Sequence, residues 1–252
     1  STRRQRQMCI RDRPDSASQV DSEQPALPDQ TRQHWQDYLS RLLQAVTDFN
    51  PERLDAVYNE ASASYPIDLV SRLLVLPALE RLGQRWKEDG LGIGEEHFFS
   101  AWLRNKLGAR LHHSASLATG TNILIACVPG HRHELGALLF SLTALGRGYR
   151  TIYLGADMPL EPIPDIVERT HAGGVILAAG SNAESQELIS ALGHLRENIR
   201  CPLFVGGRFA VTYSEALTAQ GIHLLGEQFQ LAIQLVSTRV PVHRGTEEGP
   251  NV

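Results

Sequence analysis

His133 is the residue whose type and setting point most directly to chemistry in this chain of 252 residues. It stands in the run TNILIACVPGHRHELG, residues 121–136, two places after His131 and three before Gly136. A loop imidazole offers a neutral nitrogen to a metal. A glycine at the first turn of a following helix lets a flat group approach the backbone. A merely solvated histidine is the competing reading of the same residues. His112 and His113 in HHS, with His131 and His133 in HRH, are candidates for a zinc site, although their spacing is looser than zinc motifs have.

What must position this loop is legible around it. Residues 122–128 carry Ile123, Leu124, Ile125 and Val128, are too few for a typical helix, and are closed by Pro129 and Gly130, which predicts a buried strand. The loop therefore leaves the carboxyl end of a strand, where open α/β sheets hold their ligands. Further strands are expected at 151–154, 174–178, 202–205 and 222–225, each followed by a helical or polar segment. Five such units across residues 118–238 fit a flavodoxin-like, Rossmann-like parallel sheet of order 2-1-3-4-5, with its crevice between the first and third strands.

Residues 31–117 carry helical periodicity instead and predict a four-helix bundle. Trp35, Tyr38, Leu39, Leu42, Leu43 and Val46 recur at spacings of three and four behind Thr31 as N-cap. A second helix opens on Asn50-Pro51 and turns Leu54, Val57 and Ala61 inward. A third runs from about residue 67 toward Trp86 on Leu69, Leu73, Leu76 and Leu79, with Pro77 as a possible kink. GLGIG, residues 90–94, reads as a breaker. A fourth helix follows over about 95–112 with Phe98, Trp102, Leu103 and Leu107 along one side.

Composition narrows the function classes. A formal net charge of -4 with mixed signs gives no basic face for nucleic acid or an anionic membrane. Cys9, Cys127 and Cys201 share no metal spacing and form no even disulfide framework. No apolar run reaches membrane-span length and no signal peptide is evident, so a reducing cytoplasmic setting is expected. Residues 1–30 and 239–252 lack periodicity and are expected to be a disordered leader and tail. Neither GGRFAVT nor GLGIGEE has the glycine spacing of a dinucleotide loop. No catalytic triad or paired catalytic carboxylates are found, so an enzyme is not expected.

HRHELG, with Val205-Gly206-Gly207 far downstream, resembles the cobalamin-binding motif in which an acid, any residue, His, two residues and Gly precede a Ser and a Gly-Gly pair. The resemblance implies that His133 is the lower axial ligand to cobalt and that Gly136 clears the corrin. It also implies that Gly206 and Gly207 make room for the cofactor's nucleotide tail. Trp86, nine residues, then Glu96-His97 resembles the helical cap of MerR-type adenosylcobalamin photoreceptor regulators, where these residues cover the upper face. Two positions depart from the motif: His131 stands where the acid is expected and Ala178 where the Ser is, with Ser181 nearby. A lost carboxylate partner typically weakens a metal site about ten- to a hundredfold. Lys87 replaces a histidine found after the cap Trp in some light-sensing members.

The resemblance implies a cobalamin-binding sensory protein, with adenosylcobalamin as cofactor and methylcobalamin or hydroxocobalamin as other forms. It would regulate transcription in response to light through homo-oligomer changes. Residues 1–30 are too short and irregular for a helix-turn-helix, so DNA contact is expected through a separate DNA-binding partner or a domain outside this sequence. The alternatives are a corrinoid carrier of a methyltransferase system, or a haem-binding or ligand-free interaction module on the same fold.

Overall fold

A computed structural model describes residues 29–85, 90–115, 118–132, 134–180, 185–226 and 228–243. Helices α1 (Asp29–Thr47), α2 (Pro51–Ser64), α3 (Ile67–Val70), α4 (Leu76–Arg85) and α5 (Gly90–Ala115) precede an alternating half. That half runs β1 (Asn122–Cys127), α6 (Leu135–Gly146), β2 (Arg150–Gly155), α7 (Ile163–Thr170), β3 (Gly174–Ala178) and α8 (Ser185–Asn198). It continues through β4 (Leu203–Gly206), α9 (Arg208–Thr212), α10 (Ser214–Ala219), β5 (His223–Leu225) and α11 (Phe229–Arg239). All strand pairs are parallel and the order is β2-β1-β3-β4-β5, as the strand spacing predicts. The central β1, β3 and β4 bury nearly every residue because helices cover both faces of the sheet.

The bundle departs from the sequence reading in three places. α1 begins at Asp29, two residues before the expected cap Thr31. Helix three is not regular: a π-helical turn, Ser71–Val75, joins α3 to α4, and the Leu76 amide donates to Ser71 five residues back. The extra residue turns Val70, Leu74, Val75, Ala78 and Leu82 into the core, and leaves Leu69, Leu73, Leu76 and Leu79 only partly buried on its flank. GLGIG does not break the chain. α5 starts at Gly90 and passes through it, and Gly94 lies beneath the Phe49 ring, which in turn meets Phe98 at 5.3 Å. A helical glycine costs about 1 kcal/mol, and these tertiary contacts offset it. Asn50 caps α2 as expected, its Oδ1 accepting from the Arg53 amide at 2.8 Å.

α2 is fastened to α5 at Asp55, which accepts from Trp102 Nε1 at 2.8 Å and from Lys106 Nζ at 2.9 Å. The Lys106 contact first, and then the indole N–H, hold the Asp55 carboxyl below its usual range. A carboxyl depressed on folding adds stability that is present above its unfolded pKa and lost as pH falls through the lower folded value. Asp55 is 46% exposed, so Asp55→Asn is expected to cost no more than about 1 kcal/mol at neutral pH. The difference from wild type should close below about pH 4, as read by urea unfolding at several pH values.

The two halves share apolar packing. Leu138, Leu139 and Leu142 on α6 are buried in the same cluster as Leu103 and Leu107 of α5 and the core of α1 to α4. The opposite side of α6, through Ala137, Phe140 and Ala144, packs with Ile123, Ile125 and Ile176 of the sheet. Residues 240–243, expected in the tail, are attached: Val240 is buried, Thr121 Oγ1 donates to the Pro241 carbonyl at 2.8 Å, and the His243 amide donates back to Thr121 Oγ1 at 3.0 Å. Residues 1–28 and 244–252 lie outside the described residues.

Candidate functional site

The loop after β1 is built on backbone ties rather than on its own regularity. The Val128 amide donates to the Ala178 carbonyl at 3.0 Å, and Gly130, at φ +77°, turns the chain so that the His131 amide donates to Val128 at 3.1 Å. Asp157, in the loop after β2, holds the turn from outside. Its Oδ1 accepts from the Gly130 amide at 2.7 Å, and its own amide donates to the His131 carbonyl at 3.1 Å. Asp157 adopts φ +52° to do so, a conformation that Asp tolerates better than most residues.

Beside this loop a crevice of about 260 Å³ opens at the carboxyl ends of the strands. Ile125, Ile176, Phe140 and Phe229 form much of its apolar wall, and Gly136, Ala178, Gly206, Gly207 and His131 also line it. A Cβ at Gly136 would meet nothing within 4 Å, so the first turn of α6 leaves open space there. Gly207 is different: it sits at φ +95°, and a Cβ would stand 2.4 Å from the Ala179 carbonyl oxygen. Gly180 is equally tight, because the His131 Nδ1 lies 2.6 Å from where its Cβ would be. His131 therefore covers the β3 loop instead of presenting a carboxylate.

Glu134 follows the histidine pair and carries contacts to both halves. Its Oε2 accepts from the Tyr153 hydroxyl at 2.6 Å and its Oε1 accepts from Arg104 Nε at 2.8 Å. Burial first, and then this carboxylate, push the Tyr153 phenol well above its ordinary range. Burial, and behind it the Glu134 charge, push the Cys127 thiol up to about 12, so Cys127 is an inert apolar filler under the loop.

Of the expected upper-face residues, Glu96 accepts from Ser100 Oγ at 2.7 Å and His97 is exposed on α5. His97 and Arg104 are seven residues apart and so share one face of α5, about 10 Å apart along the axis. Because Arg104 meets Glu134, the face bearing His97 is the one turned toward the His loop. Glu95, which the sequence reading passed over, is buried and pairs with Arg85 at 3.2 Å, tying α5 to the end of α4. Trp86, Lys87, His133 and Ser181 themselves lie outside the described residues.

Of the histidines offered for zinc, the described ones do not come together. His112 and His113 end α5 near the amino end of β1, whereas His131 follows its carboxyl end, about 20 Å away across a six-residue strand. Among the described residues no three His, Cys, Asp or Glu side chains gather around a common point. No helix among them is long and apolar enough to cross a membrane. The residues the sequence missed, Asp157, Glu134, Tyr153 and Arg104, are ordinary polar types whose meaning comes only from partners 19 to 30 positions away.

Comparison with known proteins bears on the family and the fold. Residues 38–111 match the family described as B12 binding domain, a span that falls on the helical half. The chain is related to the HTH-type transcriptional repressor CarH of Myxococcus xanthus, at 26% identity over 78% of this chain and 67% of the relative. It is also related to the HTH-type transcriptional repressor CarA of the same organism, at 25% identity over 72% of this chain and 62% of the relative. This chain thus spans about two thirds of those repressors. In fold it is similar to the Methanosarcina barkeri monomethylamine corrinoid protein, with a TM-score of 0.59, 16% identity, and coverage of 80% of this chain and 97% of the other.

Proposed function

We propose that this relative of HTH-type transcriptional repressors is a cobalamin-binding sensory module, and that the corrinoid lies between α5 and the carboxyl edge of the sheet. The observation that carries the reading is the meeting of the His97–Arg104 face of α5 with Glu134, next to His133 in sequence, beside a crevice lined by Gly136 and Gly207. These residues fit the group. Gly136 leaves open space at the loop, the crevice is apolar enough for an aromatic tail, and His133 supplies a nitrogen of the kind cobalt accepts.

In this reading His133 would hold the cobalt, and Trp86, Glu96 and His97 would cover the bound cofactor. Gly206 and Gly207 keep the tail's path clear, and Ser181 stands near enough in sequence to replace the hydroxyl missing at Ala178. When bound, adenosylcobalamin supplies a cobalt–carbon bond that visible light cleaves. The chain's own part is to fill the space around the upper group in one state and to shift α5 against the sheet in the other, a two-state element biased by a ligand. DNA contact would come through a DNA-binding partner or region joined to this module. The module itself binds and signals; it performs no turnover.

Anaerobic reconstitution with adenosylcobalamin should give a coloured protein whose spectrum changes under green light and whose elution volume changes with it. With Lys87 in place of a second histidine, the illuminated spectrum is expected to lack the signature of two nitrogen ligands on cobalt. A bound cofactor with no response to light in spectrum or size would end the light-sensing reading. Copurification with a methyltransferase would replace it with the carrier reading.

A further inference from the structure

Glu134 occupies the N-cap position of α6, where a Ser, Thr, Asp or Asn side chain ordinarily accepts from the free amides of the first turn. It makes no such bond. Its oxygens are instead divided between Arg104 of α5 and Tyr153 of β2. One donor belongs to the bundle and the other to an edge strand of the sheet. The acceptor is the residue immediately after His133, and its side chain is only 17% exposed.

The other end of the same short loop is fixed by Asp157 through Gly130 and the His131 carbonyl. Of the ties named here, those of Glu134 are the ones that reach the bundle, through Arg104. We propose that Glu134 is a positioning residue that couples the seating of His133 to the docking of α5. With Arg104 and Tyr153 both engaged, the Glu134 side chain is held in one arrangement. A displacement of α5 removes one of the two donors and loosens the loop at the residue next to the ligand. A change above the corrin is thereby felt below it, and a change of lower ligation is felt in the bundle. The coupling deepens the corrinoid reading and rests on it for the identity of the ligand, but not for the mechanical link itself.

The test uses the full chain with Arg104→Met, which removes the bundle donor, Arg104→Lys, which keeps one, and Tyr153→Phe, which removes the sheet donor. Amide exchange across residues 128–134 is measured without ligand, and hydroxocobalamin affinity is measured by absorbance titration. Arg104 is half exposed, so Arg104→Met is expected to leave the melting temperature nearly unchanged. It should speed exchange in the loop about tenfold and weaken cobalamin about tenfold. Arg104→Lys should recover most of both, and Tyr153→Phe should reproduce the loss. Loop exchange and affinity equal to wild type in Arg104→Met would overturn the proposal, as would a loss that lysine does not repair. Should wild type take up no cobalamin, the reading of the site fails on its own, and the exchange data alone decide the coupling.

Discussion

A Gly207→Ala chain is expected to unfold about 3 kcal/mol more easily than wild type. For a protein of this size that loss corresponds to a melting temperature roughly 6 to 12 °C lower. The backbone at Gly207 has φ +95° and ψ −178°, a region that side chains with a Cβ essentially do not enter. Space compounds the strain, since the new methyl would meet the Ala179 carbonyl oxygen at 2.4 Å. That carbonyl accepts from the Phe209 amide, and the Ala179 amide donates to Gly206, so it cannot retreat without breaking the junction of β3 and β4. The same movement would close the crevice, so cobalamin uptake should fall along with stability. Thermal melts and absorbance titration check the two effects separately. A variant with wild-type melting would show that the junction is more pliable than its hydrogen bonds indicate.

His133→Ala is expected to lower cobalamin affinity about a hundredfold, the upper end of what disturbing a metal's immediate surroundings costs. The melting temperature should hardly move, because the substitution lies in a loop whose ties run through Val128, Gly130, His131 and Glu134. A control at His131 separates the two histidines. His131→Ala removes an imidazole seated over Gly180 and should change affinity less. Equal affinity in wild type and His133→Ala, with loss in His131→Ala, would move the ligand to position 131.

The sheet was readable in the sequence because buried parallel strands are continuous apolar runs, and the runs at 122–128 and 174–178 are closed by Pro129-Gly130 and by AAGSN. The position of the loop after β1 was readable because Pro129-Gly130 ends the apolar run ahead of the two histidines and Gly136. The bundle was readable in helix count but not in phase. Leucines at 69, 73, 76 and 79 have helical spacing, yet the π turn at Ser71–Val75 rotates the core onto Leu74, Val75 and Ala78, and nothing local announces an extra residue in a turn. GLGIG misled for the opposite reason: glycine propensity is weak, and contacts with Phe49 decide the outcome. Glu134 was overlooked because a glutamate opening a helix is ordinary, and its role exists only through Arg104 and Tyr153.

The burial of Leu138, Leu139 and Leu142 of α6 among the leucines of the bundle bears on how such a module can be inherited or transplanted. Cutting the chain between α5 and β1 would bare three side chains, each contributing about 1.5 to 3 kcal/mol when shielded from water. The severed sheet would carry a greasy stripe beside its own loop, and the severed bundle a matching trough. Fusion to a foreign domain therefore calls for both halves in a single cassette, with the splice made ahead of α1.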